Sequence, residues 1–330
     1  MPSRRVGEGM GGGGVLVTGG AGFVGGHVVE RLARWAGGGG AVPVRVPVRV
    51  LVHRSAVEVP GVEVVRGDLA GGALRGLCDG IGTVLHLAAR IGDDEEECRA
   101  VNAEGTRALL AEAGRAGVRR IVQLGTAAVY RDGAHRGEAE GELLEGPESV
   151  TSVTRLAGER MVLAAGGTVL RPHLVYGRGD RWMVPGLVGL MARLPYWVDG
   201  GRARISVVGV DALADALAEL AVREEPLGGG VLHAGHPVPV TARELVGTVA
   251  RELGLPGPRG DVDLAGAMEL LGAVDDPVTR RRVSLLGVDH WYDSGRLWGM
   301  VSASPGPGFG EGFAAYAPWY REAMALGRRG

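Results

Sequence analysis

An α/β fold, with a doubly wound parallel sheet followed by a smaller mixed α/β lobe, is what this 330-residue sequence predicts. Three observations carry the prediction. Apolar, β-branched runs of strand length alternate with helical patterns through the first half of the chain. Three glycines stand where the first such run meets the first helical pattern. Beyond about residue 175 the alternation gives way to short mixed segments with prolines and aromatics, among them Trp182, Tyr196, Trp197, Trp291, Tyr292 and Trp298.

Residues 1–13 read as a disordered leader. Val15–Val17 is the first strand, and Thr18-Gly19-Gly20-Ala21-Gly22-Phe23-Val24-Gly25 is the turn that leaves it. Phe23, Val24, Val28, Val29, Leu32 and Trp35 recur at helical spacing after the turn. A second strand spans Val44–Val52 and ends at His53-Arg54-Ser55. A third, Val62–Val65, leads into Arg66-Gly67-Asp68-Leu69. A helix carries Leu74 and Leu77. The fourth strand, Thr83–His86, runs into Leu87-Ala88-Ala89. Asp93–Glu97 places acids at the start of the next helix, where the macrodipole favours them. Arg119–Leu124 is the fifth strand. Residues 131–149 are polar and acidic and read as an active-site loop. Ser152–Ala165 is a helix, and Thr168–Leu170 is a sixth strand closed by Arg171-Pro172. This assigns residues 14–175 to a Rossmann-type sheet domain and 176–330 to a substrate-binding lobe.

Composition narrows the function classes. A net charge of −2 argues against nucleic acid or a membrane surface as a partner. No stretch has 18 apolar residues in a row, so no membrane span is expected. Met1–Gly14 lacks the apolar core of a signal peptide, and the two cysteines, Cys78 and Cys98, form neither a disulfide framework nor a metal-ligand spacing. A cytoplasmic protein without a bound metal is the expectation. All 36 basic residues are arginines; the chain contains no lysine.

The glycine turn carries the first chemistry. Glycine permits a sharp turn, close approach of a pyrophosphate, and tight packing of helix on strand. The helix N-terminus then offers N–H groups and a positive dipole end to phosphate. Three glycines in a chain with 60 would mean little alone. Strand before and helix after make them a dinucleotide site. Ligands of such sheets lie beyond the carboxyl ends of the strands. Gly19–Gly25, His53-Arg54, Asp68, Ala88–Arg90, Thr126 and Pro172–Val175 should therefore converge on one crevice.

The order of motifs resembles the extended short-chain dehydrogenase/reductases of the NAD-dependent epimerase/dehydratase type. Thr18–Gly25 resembles the family's dinucleotide turn, Gly67-Asp68-Leu69 its adenine-contacting segment, and His86-Leu87-Ala88-Ala89 the segment lining the nicotinamide ribose. Val101–Thr106 resembles its Asn-containing helix, Thr126-Ala127-Ala128-Val129-Tyr130 its Ser/Thr-x-x-Val-Tyr stretch, and Leu170–Gly177 its Arg-Pro-x-x-Val-Tyr-Gly turn. Tyr292-Asp293-Ser294 and Gly312–Tyr320 fit as well. The resemblance covers nearly the whole chain. It implies cofactor contacts at Thr18, Gly19, Gly22, Phe23, Val24, Gly25, Asp68, Leu69, Leu87, Ala88, Ala89, Arg90, Pro172, His173 and Val175. It leaves a monomer or a homodimer open.

The second strand ends in His53 and Arg54, where NAD-preferring chains carry an acid for the ribose 2′-OH. Nothing there repels a 2′-phosphate, and a guanidinium can clamp one, so NADP is expected over NAD.

The departure from the family is in the helix after the active-site loop. The resemblance implies Tyr-x-x-x-Lys there; aligned on Leu156-Ala157-Gly158-Glu159, the chain has Thr151 and Arg155. Arg155 can hold a ribose hydroxyl but cannot exchange a proton near neutral pH. Thr151 and Thr126 orient groups rather than supply protons. Tyr130 is a possible substitute acid or substrate contact, and His173 a further donor facing the nicotinamide. A positioned general acid typically contributes about 10²–10⁴-fold. Its absence is tolerable for a carbonyl with its own neighbouring hydroxyl, less so for sugar epimerisation. The missing pair resembles the atypical ketoreductases of angucyclinone biosynthesis. That implies an NADPH-dependent reduction of an aromatic polyketide carbonyl, with the proton from the substrate's phenol or from water. Ile91, Trp182 and Met183 join Thr126, Tyr130 and His173 as expected substrate contacts for a flat, polyaromatic small molecule. A nucleotide-sugar epimerase, dehydratase or ketoreductase, and a non-catalytic NADP-binding regulator, are the rival readings.

Overall fold

The computed structural model describes residues 13–36, 46–272 and 277–327. The expected leader lies outside them except for Gly13, as do Val44 and the residue after it at the start of the expected second strand.

The first half runs β1 (Gly14–Thr18), α1 (Phe23–Ala36), β2 (Val48–Val52), β3 (Val62–Arg66) and β4 (Ile81–His86). Then α2 (Glu95–Arg99) passes through a π-helical turn, Ala100–Gly105, into α3 (Thr106–Ala116). After it come β5 (Arg120–Leu124), β6 (His135–Glu138), α4 (Val150–Ala164), β7 (Thr168–Arg171) and β8 (Leu174–Tyr176). The second half opens with α5 (Met183–Arg193), β9 (Trp197–Val198), β10 (Arg204–Ile205), β11 (Val207–Gly209) and α6 (Val210–Val222). It continues with β12 (Gly230–His233), β13 (Val240–Thr241), α7 (Ala242–Leu253), β14 (Asp261–Val262) and α8 (Leu264–Leu270). It ends with α9 (Pro277–Gly287), β15 (His290–Tyr292), α10 (Gly295–Met300) and α11 (Phe309–Gly327).

Seven strands form one parallel sheet in the order β12-β7-β5-β4-β1-β2-β3. Every residue of β1 and β4 is buried, as expected of central strands covered on both faces. One face packs Val28, Val29 and Leu32 of α1 and Leu213, Leu217 and Leu220 of α6 against the sheet. On the other face, Leu109 and Ala113 of α3 meet Leu16, Val84 and Ile81. The strand order reverses between β1 and β4. That switch point opens a crevice at the carboxyl ends of the strands.

Three expectations change. The helix expected around Leu74 and Leu77 is a series of turns, because Gly72, Gly76 and Gly80 take positive φ angles that no helix allows. Both leucines are buried all the same. The expected active-site loop, 131–149, contains β6, which pairs in parallel with β15 in a small sheet of the second lobe. The boundary at residue 175 does not separate two bodies cleanly. α6 packs on α1 in the main core, and β12 pairs with β7 as the sheet's edge strand. Short runs such as Gly230–His233 carry too little periodicity to reveal this.

The rest of the C-terminal half has its own core. Val184, Leu187 and Leu190 of α5, Leu245 and Val249 of α7, and Phe313 and Tyr320 of α11 meet there. Among the described residues no helix is long and apolar enough to cross a membrane.

Candidate active site

A cleft of ≈ 990 Å³ runs from the turn after β1, past the ends of β4, β5 and β7, into the second lobe between α5 and α9. This is at the large end of the roughly 300–1,000 Å³ usual for small-molecule sites.

The glycine turn shapes one end. Gly19 has φ +73°, and a Cβ there would stand 2.6 Å from the Ala88 nitrogen of the loop after β4. A Cβ on Gly25 would sit 2.1 Å from the Gly19 carbonyl oxygen, so only glycine lets α1 start this close to the turn. Gly22 would meet nothing nearer than that same oxygen, at 3.1 Å, and lines the cleft. The first turn of α1 therefore faces open space with its positive end, a cradle suited to a pyrophosphate.

Beneath the turn lies a buried hydrogen-bonded chain. The Thr106 hydroxyl donates to the Asn102 carbonyl at 2.7 Å, so it accepts from His86 Nε2 at 2.9 Å. His86 Nδ1 is then the acceptor for the Thr18 hydroxyl at 2.7 Å, which accepts in turn from Ala88 N–H at 3.3 Å. Burial, aided by the Arg155 charge, pulls the His86 pKa down to about 4, so the ring is neutral. Thr18 and Ala88, expected at the cofactor, do not line the cleft, and spend the Thr18 hydroxyl and the Ala88 N–H within this chain of hydrogen bonds. Leu69 is likewise packed in the core under α3.

Asn102 sets the wall after β4. Its Oδ1 accepts from Arg90 N–H at 2.7 Å, and its Nδ2 donates to the Arg90 carbonyl at 2.9 Å and to Thr154 at 3.0 Å. The π-helical turn holds Asn102 against α4, where Gly158 leaves room; a Cβ there would lie 2.3 Å from the Asn102 carbonyl oxygen. Thr151 completes the clamp. Its hydroxyl donates to the Gly92 carbonyl at 2.9 Å and accepts from Gly92 N–H at 3.0 Å. Thr151 therefore pins a loop and does not line the cleft, a correction to its expected catalytic place.

Arg155 does line the cleft. Its Nη2 donates to the carbonyls of Leu124, at 2.9 Å, and Gly125, at 2.7 Å. No carboxylate among the described residues lies within ion-pair distance of it. Glu159, one turn further along α4, is fully buried and committed elsewhere: its Oε2 accepts from Arg171 Nε at 2.8 Å and its Oε1 from Thr126 N–H at 3.1 Å. Gly125 makes this possible, since a Cβ there would lie 2.4 Å from Glu159 Oε1. Burial pushes the Glu159 carboxyl up, against the pull of Arg171 and Arg155. The pair fixes the Thr126 backbone; Thr126 lines the cleft, and its hydroxyl accepts from Ala128 N–H at 3.2 Å.

Tyr130 is the second correction. It is 2% exposed and absent from the cleft wall. His233 Nδ1 donates to the Asp293 carbonyl at 3.1 Å, so its Nε2 accepts the Tyr130 hydroxyl at 2.6 Å. Arg171 lies over the Tyr130 ring, 4.9 Å from its centroid. Burial raises the phenol's pKa. His173 does line the cleft, stacked on His290 with ring centroids 5.7 Å apart. Its Nε2 is buried with no hydrogen-bond partner among the described residues, and burial beside His290 and Arg281 holds its pKa well below the ordinary histidine value.

Of the other expected residues, Phe23, Val24, Leu87, Ala89, Ile91, Pro172, Val175, Trp182 and Met183 line the cleft. His53 and Arg54 stand exposed beside it, next to the lining residue Ser55, and His53 Nε2 lies 3.6 Å from Asp68 Oδ2. Sequence reasoning missed Asp180, Arg282 and Leu286. Asp180 accepts from the N–H groups of Trp182 (2.8 Å), Met183 (2.9 Å) and Val184 (2.9 Å) and from the Tyr320 hydroxyl (2.9 Å). It starts α5 and so places Trp182 at the mouth, 61% exposed. An Asp two to four residues ahead of a helical run was the available signal. Arg282 and Leu286 come from α9, a hundred residues away in sequence, and carried none.

Comparison with known proteins agrees with this geometry. Residues 15–227 match the model of the NAD dependent epimerase/dehydratase family. The chain is 28% identical over 313 residues to the 2-alkyl-3-oxoalkanoate reductase of Stenotrophomonas maltophilia, covering 84% of this chain and 90% of that one. It is 26% identical over 263 residues to the 4-hydroxy-2-methyl-3-oxo-4-farnesyl-3,4-dihydroquinoline-1-oxide ketoreductase of Stigmatella aurantiaca, covering 76% of this chain and 77% of that one. Among solved structures it is similar to MoeE5 in complex with UDP-glucose and NAD, with TM-score 0.72 and 26% identity over 94% of this chain and all of that one. The glycine cradle fits a nicotinamide dinucleotide, and the matched region contains all of it. The chain belongs to the NAD-dependent epimerase/dehydratase family and is an NAD(P)-dependent oxidoreductase.

Proposed function

We propose that the protein is an NADPH-dependent ketoreductase of secondary metabolism that reduces a carbonyl of a flat, aromatic polyketide. In it the proton comes from the substrate's own neighbouring phenol or from water. One observation carries the reading: the protein hydroxyls that would replace the family's acid are committed elsewhere, Thr151 to Gly92 and Tyr130 to His233. When bound, the reduced nicotinamide supplies a hydride. The chain's own contribution is binding and orientation. Thr126 presents its hydroxyl to the carbonyl region, Arg155 presents a fixed cation, and Ile91, Trp182, Met183, Leu187 and Leu286 offer apolar surface to a ring system. The transferred proton leaves a phenol oxygen and arrives at the carbonyl oxygen, and solvent restores the phenol afterwards. Both similar reductases act on oxo substrates, by their names, which supports carbonyl reduction.

Arg54 supports the 2′-phosphate. No ion pair with it is formed among the described residues, and His53-Arg54-Ser55 contains no acid. The similarity to a chain solved with UDP-glucose and NAD favours a second reading, a nucleotide-sugar enzyme using NAD.

The test is oxidation of NADPH and NADH against polyaromatic keto-phenols, their O-methyl ethers and keto-sugar nucleotides. Turnover of the free phenol, lost on O-methylation while the ether still binds, is the expected result. Turnover of keto-sugar nucleotides alone would favour the second reading. Cofactor binding with no turnover of any substrate would make the protein a regulator and refute both.

A further inference from the structure

In the polar cluster between α4 and the sheet, one guanidinium has no carboxylate in contact among the described residues. Arg155 and Arg171 are the cluster's inner guanidiniums and Glu145 and Glu159 its carboxylates; Arg160, which also pairs with Glu145, is exposed to solvent. Glu145 is shared between Arg160, at 2.9 Å, and Arg171, at 2.7 Å, and Glu159 is taken by Arg171. Arg155 is left with two backbone carbonyls as acceptors. Carbonyl dipoles hold a guanidinium in place without neutralising it. The Arg155 charge therefore sits at the cleft wall, beside Thr126 and the ends of β5 and β7, with Glu159 acting on it only through space.

Among the described residues no other group at that end of the cleft offers Arg155 a carboxylate in contact. His173 and His86 are neutral, the latter partly because Arg155 is close. Arg90 is cationic and paired with Glu97. Asp180 lies at the α5 end and spends its carboxylate on three N–H groups and Tyr320. A half-buried cation without a counter-ion is costly unless a ligand brings the negative charge.

We infer that Arg155 binds the substrate's phenol oxygen next to the reacting carbonyl and stabilises the phenolate left when the proton moves. This rests on the ketoreductase reading and names how the site makes a substrate-borne acid strong enough. A phenol with an ordinary pKa of about 10 is a poor donor at neutral pH. An opposite charge within contact distance lowers such a pKa by about 1–3 units, to roughly 7–9. At that value the group is still protonated when it binds, and close to the matched range for proton donation.

The experiment reads ionisation rather than turnover. The probe is 1-hydroxyanthraquinone, whose phenol changes colour on ionisation, bound to the enzyme saturated with NADP+ and titrated with alkali. In the wild-type complex the midpoint should fall by at least about one unit below its value in free solution, a tenfold change in ionisation constant. Arg155→Gln, which keeps hydrogen-bonding capacity and removes the charge, should return most of that shift. Arg155→Lys should retain most of it and guards against a fold defect in the Gln variant. The cofactor's own charge is common to all three and cancels in the comparison. Failure of the probe to bind, a midpoint equal to that in solution, or a shift that survives in Arg155→Gln would each overturn the inference. So would a loss confined to NADPH affinity, which would make Arg155 a ribose ligand only. A shift that depends on Arg155, in an enzyme that reduces no keto-phenol, would uphold the Arg155–phenolate contact and refute the ketoreductase reading instead.

Discussion

Replacing Thr151 by valine separates a structural hydroxyl from a proton donor. Thr151 stands where the family's tyrosine is expected, yet its hydroxyl is held on both sides by the Gly92 peptide, at 2.9 and 3.0 Å. Valine keeps the shape and removes both hydrogen bonds. Each is worth about 0.5–1.5 kcal/mol net, so the variant should lose about 1–3 kcal/mol of stability. For a chain of 330 residues that is a fall in Tm of roughly 1–4 °C. A general acid lost from the same position would instead cost about 10²–10⁴-fold in rate. We expect kcat within about tenfold of wild type, because the loop after β4 is still clamped by Asn102. The assay pairs thermal unfolding with NADPH oxidation on a keto-phenol at saturating substrate. A loss of kcat beyond about 10³-fold with an unchanged Tm would refute the reasoning and restore Thr151 to the proton path.

Gly25→Ala forces a Cβ to within 2.1 Å of the Gly19 carbonyl oxygen, whereas the nearest atom to a Cβ on Gly26 is 3.7 Å away. The first should weaken dinucleotide binding at least about tenfold by shifting the turn, and the second should leave it nearly unchanged, both read by cofactor fluorescence titration. Arg54→Ala removes the proposed 2′-phosphate clamp and should raise Kd for NADPH about 10- to 100-fold without altering that for NADH. Comparable wild-type affinities for the two cofactors would sink the NADP preference. Stability should fall as pH drops through the interval between about 6.5 and 4, because His86 stays neutral when folded but takes up a proton when unfolded. Its share is about 3 kcal/mol, and His86→Asn, less stable at pH above 7, should lose less on acidification when unfolding free energy is measured against pH. An equally steep acid loss in the variant would assign the effect to the other buried histidines.

Local signals in the sequence determined much of this protein. The β1–turn–α1 unit is legible because its glycines and its apolar periodicity lie within twenty residues of one another. The parallel character of the sheet follows from the alternation of patterns, and the missing Tyr/Lys pair from residue identity alone. Asp93–Glu97 was legible too, as acids around a helix start, with Asp94 capping through Glu97 N–H at 2.9 Å. Only the tertiary structure decided what these residues do to one another. It turned Tyr130 away from the cleft towards His233, a residue 103 positions distant. It took β12 from the second half of the chain to the edge of the sheet, and it brought Arg282 from α9 to the cleft mouth. It also gave Glu159 to Arg171 and left Arg155 with backbone carbonyls and, among the described residues, no carboxylate in contact. Periodicity and turn chemistry act over a few residues and survive in one dimension. The balance of charge and the direction of a buried hydroxyl depend on partners that meet only when distant segments pack.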